Sequence, residues 1–318
     1  MAKYRTALPQ LGDQLFLTDG GLETTLIFHD GLTLPHFASF DLMKDEDGRR
    51  RLRDYYDRYV RLATARGLGF VLETVTWRAN PDWAAKLGYD LDRLADMNRL
   101  AVAMMEDVRR VHETRFSPMP ISGNIGPRGD GYRADARMTA AEARDYHGWQ
   151  VGVLAGTRAD FLGAFTLNYV EEAIGVALAA KAASTPVVLS FTVETDGRLP
   201  SGQGLADAIL ETDAATGSAP AYYMINCAHP AHFEAVLAAG GGWTRRVRGI
   251  RANASMRSHA ELDDASELDA GDPVDLGRRF AALRGRLGHL TVLGGCCGTD
   301  HRHVAEIARF CTAVDRAA

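Results

Sequence analysis

The sequence predicts an α/β fold, a single (β/α)8 barrel of the TIM type spanning residues 1–318. Three observations carry that expectation. Eight short apolar or β-branched runs alternate with helical stretches along the whole chain, the pattern of a parallel sheet with helical crossovers. The runs are apolar on both faces, as strands covered by helices must be. The first strand–helix turn reads TDGGLETTL (18–26), without the G-x-G-x-x-G that opens many doubly wound sheets, the rival architecture.

The elements follow in order. The first run is 14–18, ending at Asp19-Gly20-Gly21. A helical stretch over 50–66 leads to the second, 69–76. A long helix over 83–113 leads to the third, 120–124. A helix over 140–156 leads to the fourth, 160–166, and one over 170–183 to the fifth, 186–193; the sixth is 221–226. The seventh and eighth are 248–253 and 290–293, and a closing helix starts near residue 300. Two polar stretches, 128–138 and 197–204, read as long loops after the third and fifth strands. Such loops fall on the face where barrels carry their chemistry.

The net charge of -5 argues against an electrostatic nucleic-acid or anionic-membrane binder. No apolar run approaches the roughly 20 residues that cross a bilayer. The N-terminus MAKYRTALPQLGDQLF lacks an apolar signal core, so a cytoplasmic location is expected. Clustered cysteines there serve metal or catalysis more often than disulfides. The four cysteines are Cys227, Cys296, Cys297 and Cys311. Cys311, in the helical tail HVAEIARFCTAV, reads as a core residue.

Cys227 ends the sixth run, and Cys296 and Cys297 end the eighth. In a barrel both positions open on one face, about two strands apart. Three thiolates from these points can converge on one ion, and zinc fits sulfur ligands and tetrahedral geometry. Adjacent cysteines point apart on a regular strand. Gly294, Gly295 and Gly298 let the backbone turn so that both sulfurs face one point. The plainer reading makes Cys296 and Cys297 small packing residues at a tight turn. Three cysteines leave a fourth zinc position open, where a substrate thiol would be held as a thiolate ready to take a methyl group. No G-x-S-x-G, H-E-x-x-H or Walker loop supplies another nucleophile or phosphate site.

The segments TDGGLETTL (18–26), GNIGPRGDGY (123–132), SFTVETDGRLPSG (190–202), INCAHP (225–230) and LGGCCGT (293–299) resemble the homocysteine S-methyltransferase family, in its order and over nearly the whole chain. The resemblance implies a TIM-type barrel and a zinc ion on Cys227, Cys296 and Cys297. It implies methyl transfer to homocysteine, in methionine biosynthesis, from S-methylmethionine, S-adenosylmethionine or a betaine. Two departures stand out. The family commonly reads F-E-T after the fourth strand, its Glu holding the substrate amino group; here Ala164-Phe165-Thr166 stands there. A family-like T-N-T-Y after the second strand is here Thr74-Val75-Thr76-Trp77. Either another carboxylate has moved in, with Glu73 and Glu194 nearest by strand position, or the acceptor lacks an amine there.

Asp19, Gly20 and Gly21 are expected to bind substrate, Asp19 pairing an ammonium and the glycines giving close backbone approach. An ordinary turn with an N-capping Asp is the alternative. Glu23 reads as a first-turn helix residue favoured by the dipole. Trp77 is a candidate wall for a cationic methyl donor. His229 reads as a loop histidine rather than a ligand, and His301 and His303 as the start of the last helix. The expected partners are a small-molecule thiol and a methyl donor, with self-association of the chain left open. The rival functions are demethylation of an onium compound onto a different thiol, and a non-catalytic zinc or redox sensor. An open cavity at the metal favours an enzyme; a closed four-ligand site or a cysteine disulfide favours a sensor.

Overall fold

The computed structural model describes residues 1–265 and 267–315. Nine parallel strand segments run in the order β2-β1-β9-β8-β7-β6-β5-β4-β3. They are β1 (Phe16–Leu17), β2 (Gly69–Phe70), β3 (Leu72–Glu73), β4 (Ile121–Ile125), β5 (Phe161–Leu167), β6 (Val187–Phe191), β7 (Tyr222–Asn226), β8 (Val247–Ala252) and β9 (Val292–Gly295). Only Val71 separates β2 from β3. The Val71 N–H donates to the Leu17 carbonyl (2.9 Å), while those of Phe70 and Leu72 donate to the Pro118 and Pro120 carbonyls (3.1 and 2.9 Å). Alternate residues of this stretch thus serve neighbours on both sides. It is one stave shared by the two ends of the order, and it closes the sheet. The eight runs read from the sequence give eight staves, and an open doubly wound sheet is excluded.

A helix follows each stave: α1 (Glu46–Thr64), α2 (Leu91–His112), α3 (Ala140–Ala155), α4 (Val170–Ala182), α5 (Leu205–Thr216), α6 (Pro230–Ala238), α7 (Pro273–Arg286) and α8 (His301–Asp315). The helix expected over 83–113 is broken. A short helix, Pro81–Ala85, is capped by Asn80, and α2 restarts at Asp90, whose carboxylate accepts from the Arg93 N–H at 2.8 Å. Between them Gly88 takes a φ of +78°, which breaks helical geometry at little cost only in glycine. Helices α5 and α6 are short and alanine-rich, so no strong apolar stripe announces them. No described helix is long and apolar enough to cross a membrane.

The apolar residues form two layers. The larger lies between staves and helices and includes Leu17, Leu72, Ile121, Leu189, Ile250 and the buried Cys311 of α8. The smaller fills the barrel with Phe16, Val71, Phe161, Val188, Tyr222 and Val292. Successive side chains on a strand face opposite ways, so a stave feeds both layers; β4 and β8 are the exceptions, with no residue in the inner apolar cluster. Towards the C-terminal strand ends the inward positions turn polar, with Asp19, Glu73, Asn124 and Arg251, and the filling stops at a cavity.

Candidate metal centre

Cys227 directly follows β7 and Cys296 directly follows β9, with β8 between them. That intervening stave holds both: the Cys227 N–H donates to the Arg251 carbonyl (3.0 Å) and the Cys296 N–H to the Ala252 carbonyl (2.7 Å). The Sγ atoms of Cys227, Cys296 and Cys297 all lie within 4.8 Å of one another. Zinc–sulfur bonds of about 2.3 Å at tetrahedral angles would place sulfurs roughly 3.8 Å apart, so the donor set suits that ion. In this structure the Cys227 and Cys296 sulfurs are in direct contact, and Cys297 is a free thiol. All three sulfurs ligate as thiolates. Cys296 and Cys297 face one point because the strand has already ended: the Thr299 N–H donates back to the Cys296 carbonyl (3.1 Å), and Gly298 takes a φ of +78°.

Two residues here hold backbone conformations that side chains disfavour. Cys227 has φ +53° and the β-branched Thr166 has φ +63°. Such conformations cost about 1–3 kcal/mol each and persist where surroundings impose them. The Cys227 carbonyl accepts from Asn253 Nδ2 (3.0 Å) and is bridged by His259 Nε2 (2.7 Å). The Asn226 amide oxygen accepts from the Thr166 N–H (2.9 Å) and Ser190 Oγ (2.6 Å), while its Nδ2 donates to Thr166 Oγ1 (2.9 Å). None of Thr166, Asn226, Asn253 or His259 was singled out from the sequence. The one signal was a polar asparagine closing an apolar run just before Cys227. The loop after β4 brings the Tyr132 hydroxyl 3.6 Å from the Cys297 sulfur, and the Tyr132 ring stacks on His259 at 4.0 Å. Burial pushes both the Tyr132 hydroxyl and the Cys297 thiol up.

The opposite wall is ionic. Arg251 of β8 reaches across the barrel, where Nη2 donates to Asp19 Oδ1 (2.6 Å) and Nη1 pairs with Glu73 Oε2. Its Nε and Nη2 also donate to the Gly295 and Gly20 carbonyls (3.0 and 3.1 Å). The second Asp19 oxygen accepts from the Tyr55 hydroxyl at 3.0 Å. Burial pushes the Asp19 carboxyl up, opposed by the adjacent Arg251 guanidinium and the Tyr55 bond. The carboxylate expected to meet a substrate ammonium is thus already paired within the chain, and so is Glu73. The Phe165 ring closes over this group, its centroid 5.5 Å from Arg251 Cζ. Gly20 and Gly21 do approach a backbone closely, and it is the protein's own: a Cβ on Gly21 would lie 2.6 Å from the Cys296 carbonyl oxygen, and one on Gly20 2.9 Å from that of Thr299.

The cavity between these walls has a volume of about 240 Å³, room for a small metabolite. Asp19, Gly20, Gly21, Glu73, Trp77, Phe165 and the three clustered cysteines all line it. Glu23 lines it too while sitting in the first turn of a short helix, Leu22–Thr24. Glu194 is not among the lining residues; its Oε1 lies 3.2 Å from His259 Nδ1, one residue removed from Cys227. His229 caps α6, its Nδ1 accepting from the Ala231 N–H at 3.2 Å, and burial pushes it down to about 4. It lies outside the sulfur cluster. His303 bonds the Ala270 carbonyl and Asp300, away from the cavity.

A family model described as homocysteine S-methyltransferase matches residues 16–311. The chain belongs to the homocysteine S-methyltransferase family. Among solved structures, the oxidized form of the homocysteine methyltransferase MmuM from Escherichia coli is similar, with TM-score 0.70 and 21% identity over 96% of this chain and 99% of that one. The metallated form of MmuM matches with the same values. Its apo form matches at TM-score 0.65 and 19% identity, over 96% and 98% of the two chains. At these identities the likeness shows the fold. No curated protein matches the sequence. Within the homocysteine S-methyltransferase family, this chain carries its cysteine cluster at the expected strand ends and an arginine-centred ionic group beneath Phe165.

Proposed function

We propose that this protein is a zinc-dependent S-methyltransferase that moves a methyl group from an onium donor to a thiol. The single observation that supports the reading best is the convergence of three cysteine sulfurs at the edge of a metabolite-sized cavity. When bound, zinc supplies the Lewis acidity that keeps an incoming thiol deprotonated. The chain's own residues do the rest. Asn253 and His259 hold Cys227 in its strained conformation and Asn226 holds the neighbouring Thr166, so the sulfurs are aimed before a ligand arrives. Tyr132 and Phe165 place apolar surface around the reacting atoms, which limits access of water. Apart from Asp19 and Glu73, which are paired with Arg251, the lining carries Glu23, Asp130 and Asp263 against Arg78, a balance that suits a cationic donor such as S-methylmethionine, S-adenosylmethionine or a betaine.

The contact between the Cys227 and Cys296 sulfurs supports the second reading, a redox-responsive site. The open cavity favours the enzyme, because a sensor has no need of space beside its thiols. MmuM has been solved in oxidized and metallated forms, and we take the reduced cysteines to be the ligand-binding state here as well. The test is metal stoichiometry and methyl transfer on reduced protein. Wild type should hold one zinc per chain. Cys227→Ala, Cys296→Ala and Cys297→Ala should each lower bound zinc and abolish transfer while circular dichroism stays unchanged. A triple variant that keeps stoichiometric zinc rejects the site. Zinc should leave as pH falls, because thiolate ligands must be reprotonated.

A further inference from the structure

Arg78 follows β3 and lines the same cavity. It is 7% exposed. Its guanidinium is clamped between two indoles, with Cζ 4.0 Å from the Trp77 ring centroid and 3.8 Å from that of Trp83. The short helix Pro81–Ala85 folds Trp83 back to make this clamp. Among the described residues only one of its nitrogens has a hydrogen-bond partner: Nη1 donates to the Gly129 carbonyl at 3.1 Å. Nε is buried with no partner. Nη2 donates to nothing among the described residues. The nearby Asp130 carboxylate accepts from the Tyr132 and Arg133 N–H groups (2.8 and 3.1 Å) and forms no ion pair with Arg78.

A buried guanidinium with no carboxylate beside it is costly, and such charges are normally paired. The indole faces offset part of that cost and fix the plane of the group. Burial still pushes Arg78 down to about 10. The two idle donors, Nε and Nη2, lie on one edge of the guanidinium, the edge that grips both oxygens of a carboxylate.

We propose that Arg78 is the docking point for a substrate carboxylate in this cavity, so that the enzyme works on a carboxylate-bearing thiol, a carboxylate-bearing onium donor, or both. The proposal rests on the methyltransferase reading and narrows its substrate class. The ammonium end of an amino acid finds Asp19 and Glu73 already paired with Arg251, whereas the carboxylate end finds Arg78 with no ion-paired carboxylate among the described residues, Asp130 and Glu23 acting on it only from a distance.

The test is direct binding, by calorimetry on reduced, zinc-loaded protein, without turnover. One arm compares 4-mercaptobutyrate with its amide. The other compares a carboxylate-bearing sulfonium, 3-(dimethylsulfonio)propionate, with trimethylsulfonium. In at least one arm wild type should favour the acid by about tenfold or more, the size of a lost charge-assisted pair. Arg78→Gln should erase that preference while the neutral ligand binds within about twofold of wild type, and Arg78→Lys should keep part of it. Melting curves establish that each variant is folded. The arm that responds tells whether acceptor or donor carries the carboxylate. Absence of acid preference in both arms of wild type, or its survival in Arg78→Gln, overturns the proposal. Arg78-dependent carboxylate binding without methyl transfer to any thiol would sink the methyltransferase reading and leave the docking point standing.

Discussion

Arg251 and Arg78 line one cavity and have been given opposite surroundings. Arg251 has two carboxylates and two carbonyls around its guanidinium. Arg78 has one carbonyl and two aromatic faces. The first is a closed group whose members satisfy one another; the second keeps donors idle. A charged residue in a cavity is therefore no guide to substrate by itself, because the deciding fact is whether its partners lie within the chain. By that measure the Asp19–Arg251–Glu73 wall shapes the cavity, while the cysteine sulfurs and Arg78 are left for ligands.

If Arg251 holds the wall, its removal is the larger disturbance. Arg251→Met should leave Asp19 and Glu73 buried and facing each other without a counter-charge. Breaking a buried pair in this way costs about 3–5 kcal/mol. Urea unfolding should show a loss of that order, and a loss below about 1 kcal/mol would mean that the two carboxylates find other partners.

The smaller effect concerns Phe165, which covers Arg251. Phe165→Glu places a third carboxylate beside one guanidinium, and one of the three becomes available to a substrate ammonium. Wild type should use 4-mercaptobutyrate at least as well as homocysteine. The variant should shift the ratio of kcat/KM toward homocysteine by about tenfold, a modest share of what a buried charge pair can supply. A strong native preference for homocysteine that ignores Phe165→Glu but vanishes on replacing Glu73 would show that Glu73, and not an apolar floor, meets the substrate.

Much of this was legible before any coordinates. The strand ends at Cys227 and at Cys296-Cys297 could be placed because apolar runs stop there against asparagine or glycine, and a closed barrel puts such ends on one face. The ionic wall could not be read. Arg251 lies within the run IRAN, and a run buried on both faces does not tell which side chains point inward. Only the register of β8, with Arg251 beside Asn226 and Gly294, settles that. The clamp on Arg78 was hidden for a different reason. A continuous helix from residue 83 would carry Trp83 away, and the break at Gly88 with the cap at Asn80 brings it back. Glu194 was near the centre in sequence order, but its side chain stops at His259.

The central claim is that a substrate thiol takes the position left open by Cys227, Cys296 and Cys297. Zinc-edge X-ray absorption on reduced, zinc-loaded protein tests it most directly. Before addition of the acceptor thiol the first shell should contain three sulfurs and one lighter atom. With the thiol bound it should contain four sulfurs at about 2.3 Å. An unchanged shell in a complex that goes on to transfer the methyl group would contradict the account, because the thiol would then be activated away from the metal.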